Sequence, residues 1–531
     1  MKLDDFGALT DAESKLIQHL RGGGVGICQI SDQTPPTDAP PDLHIRASLI
    51  RALVLKQITD VLLPEKGLRV RGAFILGDGP EDAETMGLDL EGATLAHDLG
   101  LAHCCIPDPL ILRSATVVNL NLTGSHLLGT LSADRLEAKG SVFLRRITSE
   151  GEIRLLGAKL GGDLDCDGAT LNATDNALSA DMLEAKGSVF LRGITSAGKI
   201  RLLGAKLGGD LDCGGATLNA RGDALDLQGA RIDGAWFWRN NAKSVGTLNL
   251  ETATIGTICD DPACWPTEIR LNRCQYGAFV GKGVSAAERI DWLSRMTPQA
   301  YDTEFWPQPY EECARVLREA GHGADARDVL IEKERLQRAV RQQRLRRAYR
   351  AGGRFHFAPY LQSLGYAVAD GLLKYTVAYG RKPLQAAVPL LFLLLIGANI
   401  FAISALAGQI KPNLPQIQRA PEWVGCAIPQ GQSRGNPPVQ GRALTGQTQM
   451  ACFLSQPEAA SYPRFDALVY SADTLLPIVS LEMQSYWIPD DRKPFGGWAR
   501  LYLWLHIMSG WGLTLLAVAG FSGLVKSDNS K

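Results

Sequence analysis

The chain has 531 residues with 55 Lys+Arg against 56 Asp+Glu, a formal net charge of −1, which excludes a single compact core and a globally basic nucleic-acid binder. Hydrophobic residues reach 45%, too many for a wholly disordered chain. Its 56 glycines beside only 7% aromatics point to a repetitive, turn-rich element somewhere along it.

Residues 1–66 precede any repeat and are expected to form a helical cap. The opening MKLDDFGALTDAESKL has no apolar stretch of the kind a secretory signal needs. The glycine-rich Arg21-Gly-Gly-Gly24-Val-Gly26 lacks the preceding strand and the spacing of a dinucleotide fingerprint, so it reads as a loop.

From 67 to 260 the sequence repeats. Residues 131–177 recur as 178–224 with eight differences in 47 positions, a direct duplication. Inside each copy, Gly140, Gly151 and Gly162, then Gly187, Gly198 and Gly209, fall 11 residues apart. Behind them Val142/Leu144, Ile153/Leu155, Leu164/Cys166 and Leu178/Ala180 alternate, as residues on one face of a strand do. These segments are too short and too regularly broken for helices. They predict a mainly β solenoid, a right-handed β-helix or a related form, with coils of about 22 to 25 residues. The pattern can be followed up to Gly67 and down to Trp236, Trp238 and Gly256. Cys166 and Cys213 occupy equivalent inward positions and read as small hydrophobes. Asp163, Asp165, Asp210 and Asp212 form either a solvated polar face or a cation-binding stack.

Residues 261–355 read as an αα-hairpin, with Val316, Leu317, Val329, Leu330 and Ile331 as its contacts, followed by a basic linker suited to anionic headgroups. His322 sits in the turn. Cys259, Cys264 and Cys274 match no standard zinc spacing. Residues 356–382 are apolar but include Asp370 and Lys374, as in a helix lying on a membrane surface. No charge occurs between Lys382 and Lys411, or between Arg500 and Lys526. Both runs exceed what a bilayer crossing needs, so transmembrane helices are expected over 383–410 and 499–525. The external loop, 411–464, is rich in Pro and Gly. Residues 465–481 are apolar again but short for a span, which leaves a re-entrant helix or a surface helix.

Arg338, Arg341, Arg344, Arg346, Arg347, Arg350, Arg354, Lys374, Arg381 and Lys382 all precede the first span. Such clusters stay cytoplasmic, so the N-terminal 380 residues and the C-terminal tail are expected in the cytosol, and 409–499 on the opposite side. Of the 11 cysteines, only Cys426 and Cys452 fall in that external loop, where an oxidising compartment favours a disulfide between them.

With the duplicated GEIRLLGAKLGGDLDC unit, the PYEECARVLREAGHGADARDVLIEKE hairpin and the FDALVYSADTLLPIVSLEMQSYW segment, the chain resembles bacterial membrane-anchored repeat proteins often labelled membrane-associated oxidoreductases or pentapeptide-repeat-like. That resemblance implies architecture and carries over no catalytic residue; the period of eleven departs from true pentapeptide repeats. The order of span, short apolar segment and span is also similar to a two-helix pore-loop cation channel. There Asp466, Asp473, Thr474 and Pro477 would lie at a pore or its mouth, although Thr474-Leu475-Leu476-Pro477-Ile478 lacks the glycines of a potassium filter.

No Walker motif, HExxH or CxxC occurs. The sequence is therefore read as a non-enzymatic membrane scaffold or sensor without cofactor or metal, located in a bacterial inner membrane. Its partners are the lipid bilayer, an unknown protein on the β-helix surface and further copies in a homo-oligomer, and not nucleic acid. A cation channel gated by the solenoid and an oxidoreductase are the alternatives.

Overall fold

A computed structural model describes residues 2–77, 87–298, 305–351, 357–379, 381–427, 443–444 and 446–522. The chain divides into two compact units, Met1–Gln337 and Arg338–Lys531.

The first unit is built on a parallel β-solenoid. Strands on one side pair Val142 with Leu164, Leu164 with Val189 and Val189 with Leu211, so one turn takes 22 or 25 residues. Each turn has four short sides. The turn starting at Val142 continues through Thr148–Ser149, Ile153–Arg154 and Lys159–Leu160. Each eleven-residue period thus supplies two sides, one step of five residues and one of six. The second and third sides stack nine strands each, one per turn.

The bore is filled. On the first side Leu120, Val142, Leu164, Val189, Leu211 and Trp236 point inward and are buried, as are the four alternating pairs expected from the sequence. On the second side Leu127, Ser149, Leu171, Ser196 and Leu218 follow one another inward. Each buried serine is satisfied locally: Ser149 Oγ donates to the Gly151 carbonyl and Ser196 Oγ to that of Gly198, both at 2.7 Å.

Pairing extends beyond residues 67–260 in both directions. Upstream, Cys28–Gln29 and His44–Arg46 join the first and second sides, so residues 1–66 are not purely helical. These strands lie between α1 (Asp11–Arg21) and α2 (Ala47–Val54), whose Leu16, Ile17, Leu49, Ile50 and Leu53 are buried. Downstream, Thr254–Asp260 pairs with Gln275–Phe279. Strands there are longer, so the eleven-residue rhythm fades while the ladder continues. Helix α3 (Ala286–Ser294) then brings Arg289 onto Asp260. The hairpin follows as α4 (Gln308–Glu319) and α5 (Gly323–Ala351), burying Val316, Leu317, Val329 and Leu330, while Ile331 is half-buried.

The second unit is helical. It contains α6 (Phe357–Val377), α7 (Ala387–Leu406), the short α8 (Pro415–Arg419), α9 (Pro421–Gly425) and α10 (Gln449–Leu454), then α11 (Ala467–Leu475), α12 (Met483–Tyr486) and α13 (Gly496–Phe521). Two stretches, Leu384–Leu406 and Gly496–Ala519, are long and apolar enough to cross a membrane, and only 17% and 22% of their most apolar windows are buried within the protein. Most of each surface is therefore left uncovered, unlike that of a core helix. Between them, Ile410–Pro412 pairs antiparallel with Trp487–Pro489 around the fully buried Trp487.

Candidate functional site

The segment singled out at 465–481 is helical only from Ala467 to Leu475. Asp466 is its N-cap, and Oδ1 accepts from the Leu468 and Val469 amides at 2.8 and 2.9 Å. An N-cap carboxylate satisfies donors that the first turn leaves open. Pro477 lies in the turn just past the helix, where it supplies no amide to continue the ladder. Asp473 reaches across that turn, accepting from the Leu481 and Gln484 amides at 2.6 and 2.7 Å. Thr474 Oγ1 donates back to the Tyr470 carbonyl at 2.8 Å. Within one chain both carboxylates therefore hold backbone, and the four residues do not converge on a common point.

What does converge is a polar joint that the sequence reading passed over. Ser471 Oγ donates to the Leu394 carbonyl of α7 at 2.9 Å and lies 3.2 Å from His506 Nε2 of α13. His506 Nδ1 is 3.2 Å from the Tyr502 hydroxyl. Since the Ser471 proton is directed at Leu394, the consistent tautomer has Nε2–H donating to Ser471 and Nδ1 accepting from Tyr502. Glycine makes this approach feasible: a Cβ on Gly397 would meet the Ser471 hydroxyl and the His506 ring, and one on Gly510 would run into the Leu475 carbonyl. Phe401 closes the joint edge-on to Tyr470 at 4.8 Å. The legible signal was a lone histidine in an otherwise uncharged 25-residue run, with small residues at matching heights on the facing helix.

Cys426 and Cys452 are joined as a disulfide with Cα atoms 5.8 Å apart. The other nine cysteines are free and buried. Burial pushes the thiols of Cys166 and Cys213 far above the ordinary range, with the neighbouring Asp165 and Asp212 adding to the effect, which leaves them poor nucleophiles.

On the solenoid the aspartates considered as a cation stack are occupied. Asp163 Oδ1 accepts from the Ser188 amide and Asp210 Oδ1 from the Ala235 amide, both at 2.7 Å. They alternate with Ser141 and Ser188, which accept from the Asp163 and Asp210 amides, and the column begins at Asn119, which takes the Ser141 amide. Each corner side chain thus anchors the backbone of the next turn. Asp165 is buried and pairs with Arg145 at 2.5 Å; Asp212 accepts from the Gly214 amide. Among the described residues no three His, Cys, Asp or Glu side chains are placed to hold a metal. A hollow of about 220 Å³ opens over Gly100 between Arg69, Asn121 and Phe143, but Arg69 is already held by Asp98 at 2.7 Å.

Compared with known protein families, curated proteins and solved structures, the chain matches none. The fold is therefore defined by its own geometry, a β-solenoid of about nine turns followed by a helical part, with no family assignment accompanying it.

Proposed function

We propose that the protein is an integral inner-membrane scaffold or sensor of bacteria, in which a right-handed cytosolic solenoid offers its outer sides to a protein partner. The observation that carries this is the filled bore: with Leu, Ile, Val and buried Trp236 and Trp238 occupying the interior, recognition falls to the outward ladders. A stack of identical turns presents such ladders with little change on binding. In this reading the two long apolar helices anchor it, and the basic residues preceding the first of them favour a cytosolic solenoid. Reporters fused after Lys531 and inserted near Gly431 should then lie on opposite sides of the membrane; finding both on one side sinks the topology. A nicotinamide or flavin spectrum in stoichiometric amount with the purified protein would replace the scaffold reading by the oxidoreductase one.

A second reading, an oligomeric cation pore, draws on the nine-residue α11 held against both α7 and α13 by Ser471 and Gly510. A short helix fixed in this way resembles a re-entrant element more than one lying loose on a surface. In planar bilayers this reading requires discrete currents whose cation preference weakens in Asp466→Asn or Asp473→Asn. Silent bilayers leave the scaffold reading alone.

A further inference from the structure

We propose that the fourth side of the solenoid is a homodimer interface, with two copies packed face to face and their solenoid axes parallel. The inference rests on the membrane-anchored scaffold reading in one respect, that both copies share a bilayer, and it names the partner of one side.

On the middle turns of the first and third sides, outward charges pair within the chain. On the first side Arg145 pairs with Asp165 and Arg192 with Asp167, each guanidinium lying over a phenylalanine of its own strand. On the third, Arg154 pairs with Asp134 at 2.9 Å and Arg201 with Asp181 at 2.6 Å. The second side is neutral only along Thr148, Thr170, Thr195 and Thr217, between His126 and Lys243 in the same column. On the fourth side unpaired charges stand on neighbouring turns. Glu184 meets Lys206 and Arg231 meets Asp233, but among the described residues Glu137, Lys139, Lys159 and Lys186 make no ion pair or side-chain hydrogen bond, and all four are exposed.

Their arrangement is ordered in two columns. In the first, Glu137, Lys159, Glu184, Lys206 and Arg231 stand in register on successive turns. In the second, two residues along each strand, stand Lys139, Gly161, Lys186, Gly208 and Asp233. The glycines are compulsory, because a Cβ on Gly161 would run into the Lys139 carbonyl and one on Gly208 into that of Lys186. They leave permanent gaps along a shallow groove.

A two-fold axis parallel to the stack reverses strand direction and keeps the turn, so the first column of one copy faces the second column of the other. Three of the five rows then bring opposite charges together. Glu137 meets the partner's Lys139, Glu184 meets the partner's Lys186, and Arg231 meets the partner's Asp233, each contact occurring twice as an isologous interface requires. Lys159 and Lys206 face the partner's Gly161 and Gly208, whose missing side chains leave room for a long one. An antiparallel pair also matches some charges, placing Lys159 opposite the partner's Glu184. It would separate the C-terminal ends of the two stacks by their full length, whereas chains continuing into one bilayer favour the parallel arrangement. The contact spans five turns at about 4.8 Å spacing, roughly 400 Å² per copy. That is below what a freely diffusing dimer usually buries, so membrane co-localisation supplies the effective concentration.

The test uses the full chain in liposomes treated with a zero-length carbodiimide, which joins carboxylates to amines in direct contact. A covalent dimer containing the 184–186 peptide linked to a second copy of itself is expected. Glu184→Lys should lower the dimer yield about tenfold by opposing two lysines twice, and the double variant Glu184→Lys/Lys186→Glu should restore it with unchanged solenoid circular dichroism. The exposed Glu184–Lys206 pair contributes little to folding, so the single variant remains folded. Absence of a dimer, a yield indifferent to Glu184→Lys, or rescue by Lys159→Glu instead of Lys186→Glu overturns the parallel interface. Failure of the protein to float with the liposomes would speak against membrane anchoring instead, so the two failures are told apart.

Discussion

Glycine plays two physically different parts in the solenoid, and single substitutions separate them. At Gly187 the backbone is unremarkable in φ, but a Cβ would strike the Asp163 carboxylate that accepts from the next amide, Ser188 N. Gly187→Ala should therefore cost about 1–3 kcal/mol from overpacking and a displaced hydrogen bond, read as a lowered urea midpoint. At Gly193 the constraint is φ +62° with open space around it, and its counterpart in the first copy of the repeat is Arg146 at φ 51°. Gly193→Arg should cost only about 1 kcal/mol, and a larger loss than in Gly187→Ala would refute this division. A third residue-scale device is Glu13, fully buried in the N-terminal cap. Burial alone would raise its carboxyl, but hydrogen bonds from the Arg46 side chain and backbone and from the Thr10 amide, with the Arg46 charge, hold it below the ordinary carboxylate range. A lowered folded pKa contributes stability above the unfolded value that is lost as pH falls through the folded one. Denaturation midpoints of the wild type should accordingly fall below about pH 4.5, and Glu13→Gln should be less stable at neutral pH by about 2 kcal/mol with a flatter acid limb. Parallel pH profiles would exclude Glu13 as the source.

At the scale of elements, stacking leaves the last turn as the vulnerable one, because it has a neighbour on one side only. The chain covers it with α3 and α4 and closes the joint with Arg289, whose guanidinium bonds Asp260 at 2.7 and 2.8 Å and lies 3.7 Å from the Phe279 ring centre. Trp265 Nε1 donates to the same carboxylate at 2.7 Å. Both charges are buried, so Arg289→Met leaves a carboxylate without its cation, a loss of about 3–5 kcal/mol. Hydrogen exchange should accelerate at 254–260 and 275–279 while the turns around 142–211 keep their protection; uniform acceleration would show that the cap is not a local device. The sequence made this solenoid legible through glycines eleven apart and alternating Val142/Leu144-type pairs. It concealed the four-sided turn, because two corners adopt positive φ with Gly on some turns and Arg135, Arg146 or Met182 on others, which breaks the glycine rhythm. It concealed the cap as well, since Arg289 and Asp260 are 29 residues apart with nothing local to couple them. In the second unit Asp466 and Asp473 drew attention as charges in an apolar segment, although their spacing also suits a cap at each end of a nine-residue helix. The Ser471–His506 joint depends on three helices meeting and has no local signature beyond polar residues in apolar runs.

The molecule as a whole joins two units with different sources of cohesion, and this difference should be visible in unfolding. The solenoid is held by stacked inward side chains and a corner column from Asn119 to Asp210, both of which couple neighbouring turns. The second unit holds α11 against α7 and α13 through Ser471 and His506, and its extra-helical segment is tied by Cys426–Cys452. Closing 26 residues of chain stabilises by about 3.5 kcal/mol in the loop-entropy account. The nine cysteines outside that bridge are free thiols, so a reductant has a single covalent target. Dithiothreitol added to the detergent-solubilised full chain should lower the transition followed by tryptophan fluorescence of the Trp423–Trp487 region and leave the far-ultraviolet β signal of the solenoid unmoved. The variant Cys426→Ser/Cys452→Ser should show the lowered transition with or without reductant. If dithiothreitol shifts both signals together, the two units fold as one cooperative body; if it shifts neither, the bridge closes a loop already fixed by Trp487 and its neighbours, and the second unit owes its order to packing alone.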